Sequence, residues 1–244
     1  MAKLDAWGAT DVGVVRQNNE DGWLIDPALS LAIVADGMGG AACGEVAAAL
    51  ALEGVCDYLR SPAEDLEPEQ LIKEAIREAN RRVLKRARRE EQCEGMGSTI
   101  VAVLWNLPRV MIANVGDSRA YLWRNGSLTQ LSHDQTLANE LRTTLGLTEE
   151  QMSGYAHKNV LTMAIGSSDN ILICTREEIL EAGDEILLCS DGLYGPMSDA
   201  GMGKILAASG AGTLAERVKK LIEAAKQAGS SDNITAVLLR YEAE

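Results

Sequence analysis

Two apolar runs in this chain stop at the same dipeptide. LSLAIVADGMGG stops at Asp36-Gly37, and DEILLCSDGLYG stops at Asp191-Gly192. Each reads as a buried strand that delivers a carboxylate to its end, where glycine lets the backbone turn. A third run, SSDNITAVLL, begins with Asp232. In an antiparallel sheet the end of one strand lies beside the start of the next, so three carboxylates distant in sequence can meet at one sheet edge. Such a cluster repels itself by about 4 kcal/mol per close pair at an effective dielectric of about 20. Something positive must offset that, and hard divalent cations with oxygen ligands are the usual answer.

Composition narrows the alternatives. With 244 residues, 46% hydrophobic, the chain can bury a sizeable core. A net charge of -13 argues against a general nucleic-acid or anionic-membrane surface. The stretch MAKLDAWGATD has no basic region followed by an apolar core, and no apolar run reaches transmembrane length, so neither signal peptide nor span is expected. The five cysteines include no CxxC pair and are expected as reduced, mostly buried thiols of a cytoplasmic protein. With only His133 and His157, a His-rich zinc site is not expected. The chain has no phenylalanine, so Leu, Met, Trp and Tyr must fill the core.

Strands are predicted at Lys3–Thr10, Gly22–Asp26 and Leu31–Ala35, then helices at Gly44–Arg60 and Glu67–Glu91, the second with Leu71, Ile72, Ala75, Ile76, Ala79, Val83 and Leu84 at helical steps. Its polar face carries RRVLKRARR, which reads as a solvated face balanced by Glu90 and Glu91. Strands resume at Ser98–Trp105, Arg109–Val115 and Ser118–Trp123, followed by an Asn125-Gly126 turn. A helix at Gln135–Leu145 precedes an irregular insertion at Gly146–Lys158. Strands at Ile171–Glu178 and Asp184–Ser190, helices at Asp199–Ala208 and Thr213–Ala228, and a strand at Asn233–Tyr241 complete the order. Hairpin spacing favours antiparallel sheets, so the fold class is α+β, and no linker divides residues 1–244.

The chemistry-bearing set is therefore Asp36, Asp191 and Asp232, with Glu20, Asp21 and Asp117 as outer members. A lone Asp-Gly is ordinarily a turn. Here Asp36 and Asp191 follow four or five apolar residues, where an unpaired carboxylate is costly. Arg16, in VVRQNNEDGW, is a residue whose planar fork of donors could clamp a phosphate beside such a cluster.

The segments GVVRQNNED (13–21), VADGMGG (34–40), GMGSTIVAVL (95–104), ANVGDSRAYLWRNGSLTQLSHD (113–134), NVLTMAIG (159–166), LLCSDGL (187–193) and SSDNITAVLL (230–239) resemble, in order, those of the protein phosphatase 2C family, the metal-dependent serine/threonine phosphatases, in its bacterial branch. The resemblance implies a four-layer α-β-β-α sandwich with a metal site at one end. It implies that Asp36 bridges two Mn²⁺ or Mg²⁺ ions, that the Gly37 carbonyl binds the first, and that Asp191 and Asp232 bind the second. Glu20 and Asp21 would hold metal waters or orient ligands, Asn233 would support them, Asp117 would bind a weaker third ion, and Arg16 would hold the substrate phosphate. A water bridging two cations can supply hydroxide near neutral pH for in-line attack on phosphorus, so no cysteine or serine nucleophile is required.

The expected partners are phosphoproteins, including a serine/threonine kinase and its substrates, with no nucleic acid and no membrane, and the chain is expected to be a monomer. The alternatives are a dedicated phosphatase of one signalling or type VI secretion partner, and a binding module without activity; the latter would have lost metal ligands, and none is lost. Departures from the family pattern fall elsewhere. Met38 stands where some relatives have a histidine, Gln135 where histidine is usual, YAHKN (155–159) differs, and Met163 replaces a frequent arginine. Most lie in or beside a flap expected near 137–158, where His133 and His157 are expected as flap or surface residues.

Overall fold

The computed structural model of the chain describes residues 2–39, 43–62, 65–146, 160–208 and 212–243. Strands β1 (Lys3–Asp11), β2 (Asp21–Asp26) and β3 (Leu31–Met38) come first, followed by helices α1 (Gly44–Arg60) and α2 (Pro68–Arg89). Five strands follow, β4 (Gly97–Ser98), β5 (Ile100–Asn106), β6 (Arg109–Val115), β7 (Arg119–Arg124) and β8 (Ser127–Gln130); the close spacing suggests one meander, but the chain changes sheet between β6 and β7. Then come α3 (Leu137–Leu145), β9 (Cys174–Ile179), β10 (Glu185–Cys189), the single turn α4 (Asp191–Tyr194), α5 (Asp199–Ala208), α6 (Leu214–Gln227) and β11 (Ile234–Glu242).

The strands form two sheets, β1-β11-β10-β7-β8 and β2-β3-β5-β6-β9, with β4 paired to β3. The ladders are antiparallel. Side-chain alternation explains why so many strands read as continuous apolar runs. In β3, Ala32 and Val34 face the other sheet, where they meet Val237, Leu239, Ile186 and Leu188. Leu31 and Ile33 face the opposite way, onto α1 and α2 residues such as Ala47, Val55, Ile72 and Ile76. On the β1-β11-β10-β7-β8 sheet, Tyr121, Leu187 and Leu238 point outward onto Met202 and Leu206 of α5 and Val218 and Leu221 of α6. Both faces of each central strand are thus covered, and the layers run helix, sheet, sheet, helix, as the sequence implies.

Local chemistry sets the helix ends. Pro68 opens α2, where its missing N–H costs nothing. Thr213 and Glu216 form a reciprocal capping box on α6. Among the described residues no helix is long and apolar enough to cross a membrane.

Several sequence expectations change. Cys43 and Cys93 form a disulfide with Cα atoms 5.4 Å apart, so the cysteines are not all reduced. The pair spans 50 positions, closed by the return of α2, and leaves no short-range signature. The free thiols Cys56 and Cys189 are buried, and burial pushes both up from the ordinary range. The strand predicted from Ile171 begins at Cys174, because Gln135 Nε2 donates to the Leu172 carbonyl and takes that backbone out of the ladder. The strand predicted over Ser98–Trp105 is broken at Thr99, which turns to serve Asp36. Of the expected flap, Leu137–Leu145 is helical, with Thr136 as cap; its remainder and His157 lie outside the described residues. His133 is exposed, with Nε2 3.1 Å from Asn139 Nδ2.

Candidate active site

At one end of the sandwich, β3 delivers Asp36, the β10–α4 junction delivers Asp191, and the start of β11 delivers Asp232. Asp36 is fixed by its backbone. Its N–H donates to Thr99 Oγ1 (3.1 Å), and its carbonyl accepts from the Thr99 N–H (2.8 Å) and Ser98 Oγ (3.1 Å). Thr99 Oγ1 lies 2.6 Å from Ser118 Oγ, tying this point to the loop that carries Asp117. The carboxylate of Asp36 is left free of these bonds to face the cavity.

Both glycines of the Asp-Gly pairs are required by close approach. A Cβ on Gly37 would lie 2.0 Å from the Gly44 carbonyl oxygen, where α1 begins. A Cβ on Gly192 would lie 1.9 Å from the Asn233 carbonyl oxygen. Without those two contacts the strand ends could not bring their carboxylates together.

Asp21 sits directly opposite Asp36 in the β2–β3 ladder. Its Oδ2 accepts from Ser190 Oγ (2.7 Å), next to Asp191, and from Thr235 Oγ1 (2.6 Å), two residues after Asn233. Asn233 fastens the loop before β2: Nδ2 donates to the carbonyls of Val12 (3.0 Å) and Asn18 (2.9 Å), and Oδ1 accepts from the Glu20 N–H (2.9 Å). That loop presents Arg16, whose Nη2 lies 2.7 Å from Asp232 Oδ2. Neither Ser190 nor Thr235 was singled out from sequence; each adjoins a motif residue, which is the only signal available for them.

A cavity of about 610 Å³ opens among Glu20, Asp36, Asp117, Asp191, Asp232 and Arg16. Segment 160–164 supplies much of its remaining wall. Asp21 and Asn233 are not on that wall; they hold it from behind. Burial, followed by the charges of Asp21, Asp191, Asp117 and Asp232, raises the Asp36 carboxyl well above the usual carboxylate range. Burial also raises Asp21 to about 6, against the hydrogen bonds from Thr235 and Ser190. Asp117 rises to about 7 through burial and then the charge of Asp191. Arg119 and Tyr194 frame Asp117: the guanidinium stacks 3.7 Å from the tyrosine ring centroid, and Tyr194 Oη donates to the Asp117 carbonyl (3.0 Å).

These are the donors a hard cation takes. Among the described residues Asp191 Oδ1 is buried with no hydrogen-bond partner, an orphaned acceptor in the cluster. Among the described residues no three acidic, histidine or cysteine side chains are already closed into a metal-holding set. The Arg16 guanidinium holds Asp232 Oδ2, one of the oxygens such a set would use. The residues present therefore fit divalent ions.

A cleft lined by five carboxylates, at one end of two antiparallel sheets and with one arginine on its wall, points to the class. The sequence matches the protein phosphatase 2C family over residues 12–238, and the chain belongs to that family. It is 35% identical over 236 residues to the serine/threonine phosphatase stp of Listeria innocua, covering 94% of this chain and 93% of that one. The crystal structure of the serine/threonine phosphatase PstP/Ppp of Mycobacterium tuberculosis superposes with a TM-score of 0.88 at 33% identity, covering 98% of this chain and 99% of that one. A PstP catalytic domain in complex with two manganese ions is similar at a TM-score of 0.85 and 32% identity, with both chains covered in full (100%).

Proposed function

We propose that this chain is a metal-dependent protein phosphatase that hydrolyses phosphoserine and phosphothreonine on proteins. One observation carries the reading: in a member of this family, five carboxylates and one arginine line a single cavity, and one carboxylate oxygen there is buried without a hydrogen-bond partner among the described residues. In this reading Asp36, the Gly37 carbonyl, Asp191 and Asp232 hold two Mn²⁺ or Mg²⁺ ions, and Asp117 holds a weaker third. When bound, the ions supply charge neutralisation for the phosphoryl group and a water of lowered pKa.

The protein's own residues do the rest. Arg16, freed from Asp232, offers a planar fork of donors to the phosphoryl oxygens. Asp21, pinned by Ser190 and Thr235, keeps Asp36 from turning back toward β2. Asn233, through the Glu20 N–H and the Val12 and Asn18 carbonyls, fixes the loop that carries Arg16. The buried cysteine thiols Cys56 and Cys189 are raised and take no part.

The reading treats residues 1–244 as one catalytic domain, with a flap insertion near 137–158. Its partners are phosphoproteins, among them a serine/threonine kinase and that kinase's substrates. It places the chain in the cytoplasm as a monomer. The Cys43–Cys93 disulfide belongs more often to oxidising compartments, so counting free thiols in protein taken directly from cells tests that placement.

The deciding experiment is hydrolysis of a phosphothreonine peptide with Mn²⁺, with EDTA, and by Asp36→Asn. Turnover is expected only for wild type with metal. Absence of metal-dependent turnover by the wild-type protein would remove the reading.

A further inference from the structure

The polar face of α2 is only partly balanced by acids. Arg82 is bound by Glu78 and Asp57, and Arg86 by Glu90. The neighbouring stripe is different. Arg81, Lys85, Arg88 and Arg89 are all exposed at successive helical turns. Arg81 shares Glu78 with Arg82, and Arg88 meets Asp169 at 2.8 Å. Lys85 and Arg89 form no ion pair with any described residue. With Leu84 and Asp169 these four cations border a groove of about 320 Å³.

The stripe is mechanically tied to the catalytic cavity. Asn80, buried on the same helix, accepts from the Gly166 N–H (2.7 Å) and donates to the Ser168 carbonyl (2.8 Å). Segment 160–169 therefore presents Val160–Ala164 and Ser167 to the cavity and is fastened to α2 through Asn80 and Arg88. The same segment thus lines the cavity at Val160–Ala164 and Ser167 and borders the groove at Asp169.

We propose that the Arg81–Arg89 stripe docks an acidic segment of the phosphoprotein substrate, a proposal that rests on the phosphatase reading. A chain of net charge -13 repels acidic peptides over most of its surface, and the cavity itself is lined by carboxylates. Unbalanced cations beside the cavity offset that repulsion where a substrate flank would run. From Arg81 to Arg89 the helix rises about 12 Å, the reach of about four extended residues, so the stripe fits a short run of glutamates or aspartates. Duplex nucleic acid, with a charge every 1.7 Å or so along its axis, needs a longer basic track than two unpaired cations supply.

The test uses the full chain and its Lys85→Glu/Arg89→Glu variant, with Lys85→Gln/Arg89→Gln as a milder companion. Neither position is ion-paired to a described residue, and thermal unfolding confirms that each variant folds. Fluorescence anisotropy with labelled, unphosphorylated hexaglutamate at low salt should show binding to wild type that weakens about tenfold in the charge-reversed variant. It should weaken less in the neutral variant and vanish near 0.5 M salt, roughly. With Mn²⁺, kcat/KM for an acid-flanked phosphothreonine peptide should fall about tenfold, whereas p-nitrophenyl phosphate hydrolysis stays unchanged. Equal hexaglutamate binding by all three proteins, equal peptide kcat/KM, or preferential binding of a short DNA duplex would each overturn the docking proposal. Wild type that fails to hydrolyse p-nitrophenyl phosphate would instead overturn the phosphatase reading, and the anisotropy result would stand apart from it.

Discussion

Asp36→Asn should make the metal-free protein more stable at alkaline pH while abolishing metal-dependent turnover. The buried Asp36 carboxyl is raised well above its ordinary 3.8 by burial and by four neighbouring aspartates. The folded state therefore holds that proton more tightly than the unfolded chain does. Its contribution to stability is full below the unfolded value and is lost as pH rises through the raised, folded one. Above that point the fold must carry a buried charge. One carboxylate neighbour at about 7 Å and an effective dielectric near 20 costs about 2 kcal/mol. Asn removes the charge while keeping the shape. In urea denaturation with EDTA, the variant should gain about 2 kcal/mol near pH 8, or about 4–8 °C in Tm. At acid pH, below the raised value, Asn merely replaces a neutral acid and the gain should shrink to about zero. A variant less stable than wild type at both pH values would refute the picture of a repelling cluster awaiting cations.

Further expectations follow from neighbouring contacts. Arg16→Ala frees Asp232; because the pair is exposed and worth about 1 kcal/mol or less, Mn²⁺ affinity by calorimetry should tighten up to about fivefold while KM for a phosphoester rises. Unchanged affinity and KM would remove Arg16 from both roles. Mn²⁺ should raise Tm more near pH 7.5 than near pH 5, roughly, because Asp21 at about 6 and Asp117 at about 7 are charged only at the higher value; an equal rise would count against these groups. Glu185→Gln strips the buried Arg217 of its countercharge, which Arg240 also contacts, so about 3–5 kcal/mol of stability should be lost in denaturant with metal-dependent kcat retained at low temperature.

The strand order was legible because strands covered on both faces leave unbroken apolar runs, as in Leu31–Ala35 and Glu185–Cys189. The approach of Asp36, Asp191 and Asp232 could be read because each sits where such a run starts or stops. What holds them there was not legible. Ser190 and Thr235 grip Asp21 across 169 and 214 positions, and a hydroxyl carries no sequence mark of a partner that distant. The Cys43–Cys93 bond depends on the return of α2. The Asp-Gly glycines read as turns, yet at Gly37 and Gly192 the decisive constraint is the neighbouring carbonyl, a tertiary contact. The Arg16–Asp232 pair was likewise hidden: sequence suggested a phosphate ligand and gave no hint that it occupies a carboxylate.

The central claim is that these carboxylates hold the ions on which turnover depends. Calorimetric titration of the metal-free protein with Mn²⁺, with phosphothreonine-peptide hydrolysis followed in the same samples, tests it most directly. Wild type should bind two tight equivalents, with activity rising as they fill. Asp36→Asn should lose both binding and activity, and Asp191→Asn should lose one equivalent. Full activity in EDTA, or Asp36→Asn binding Mn²⁺ like wild type, would contradict the account.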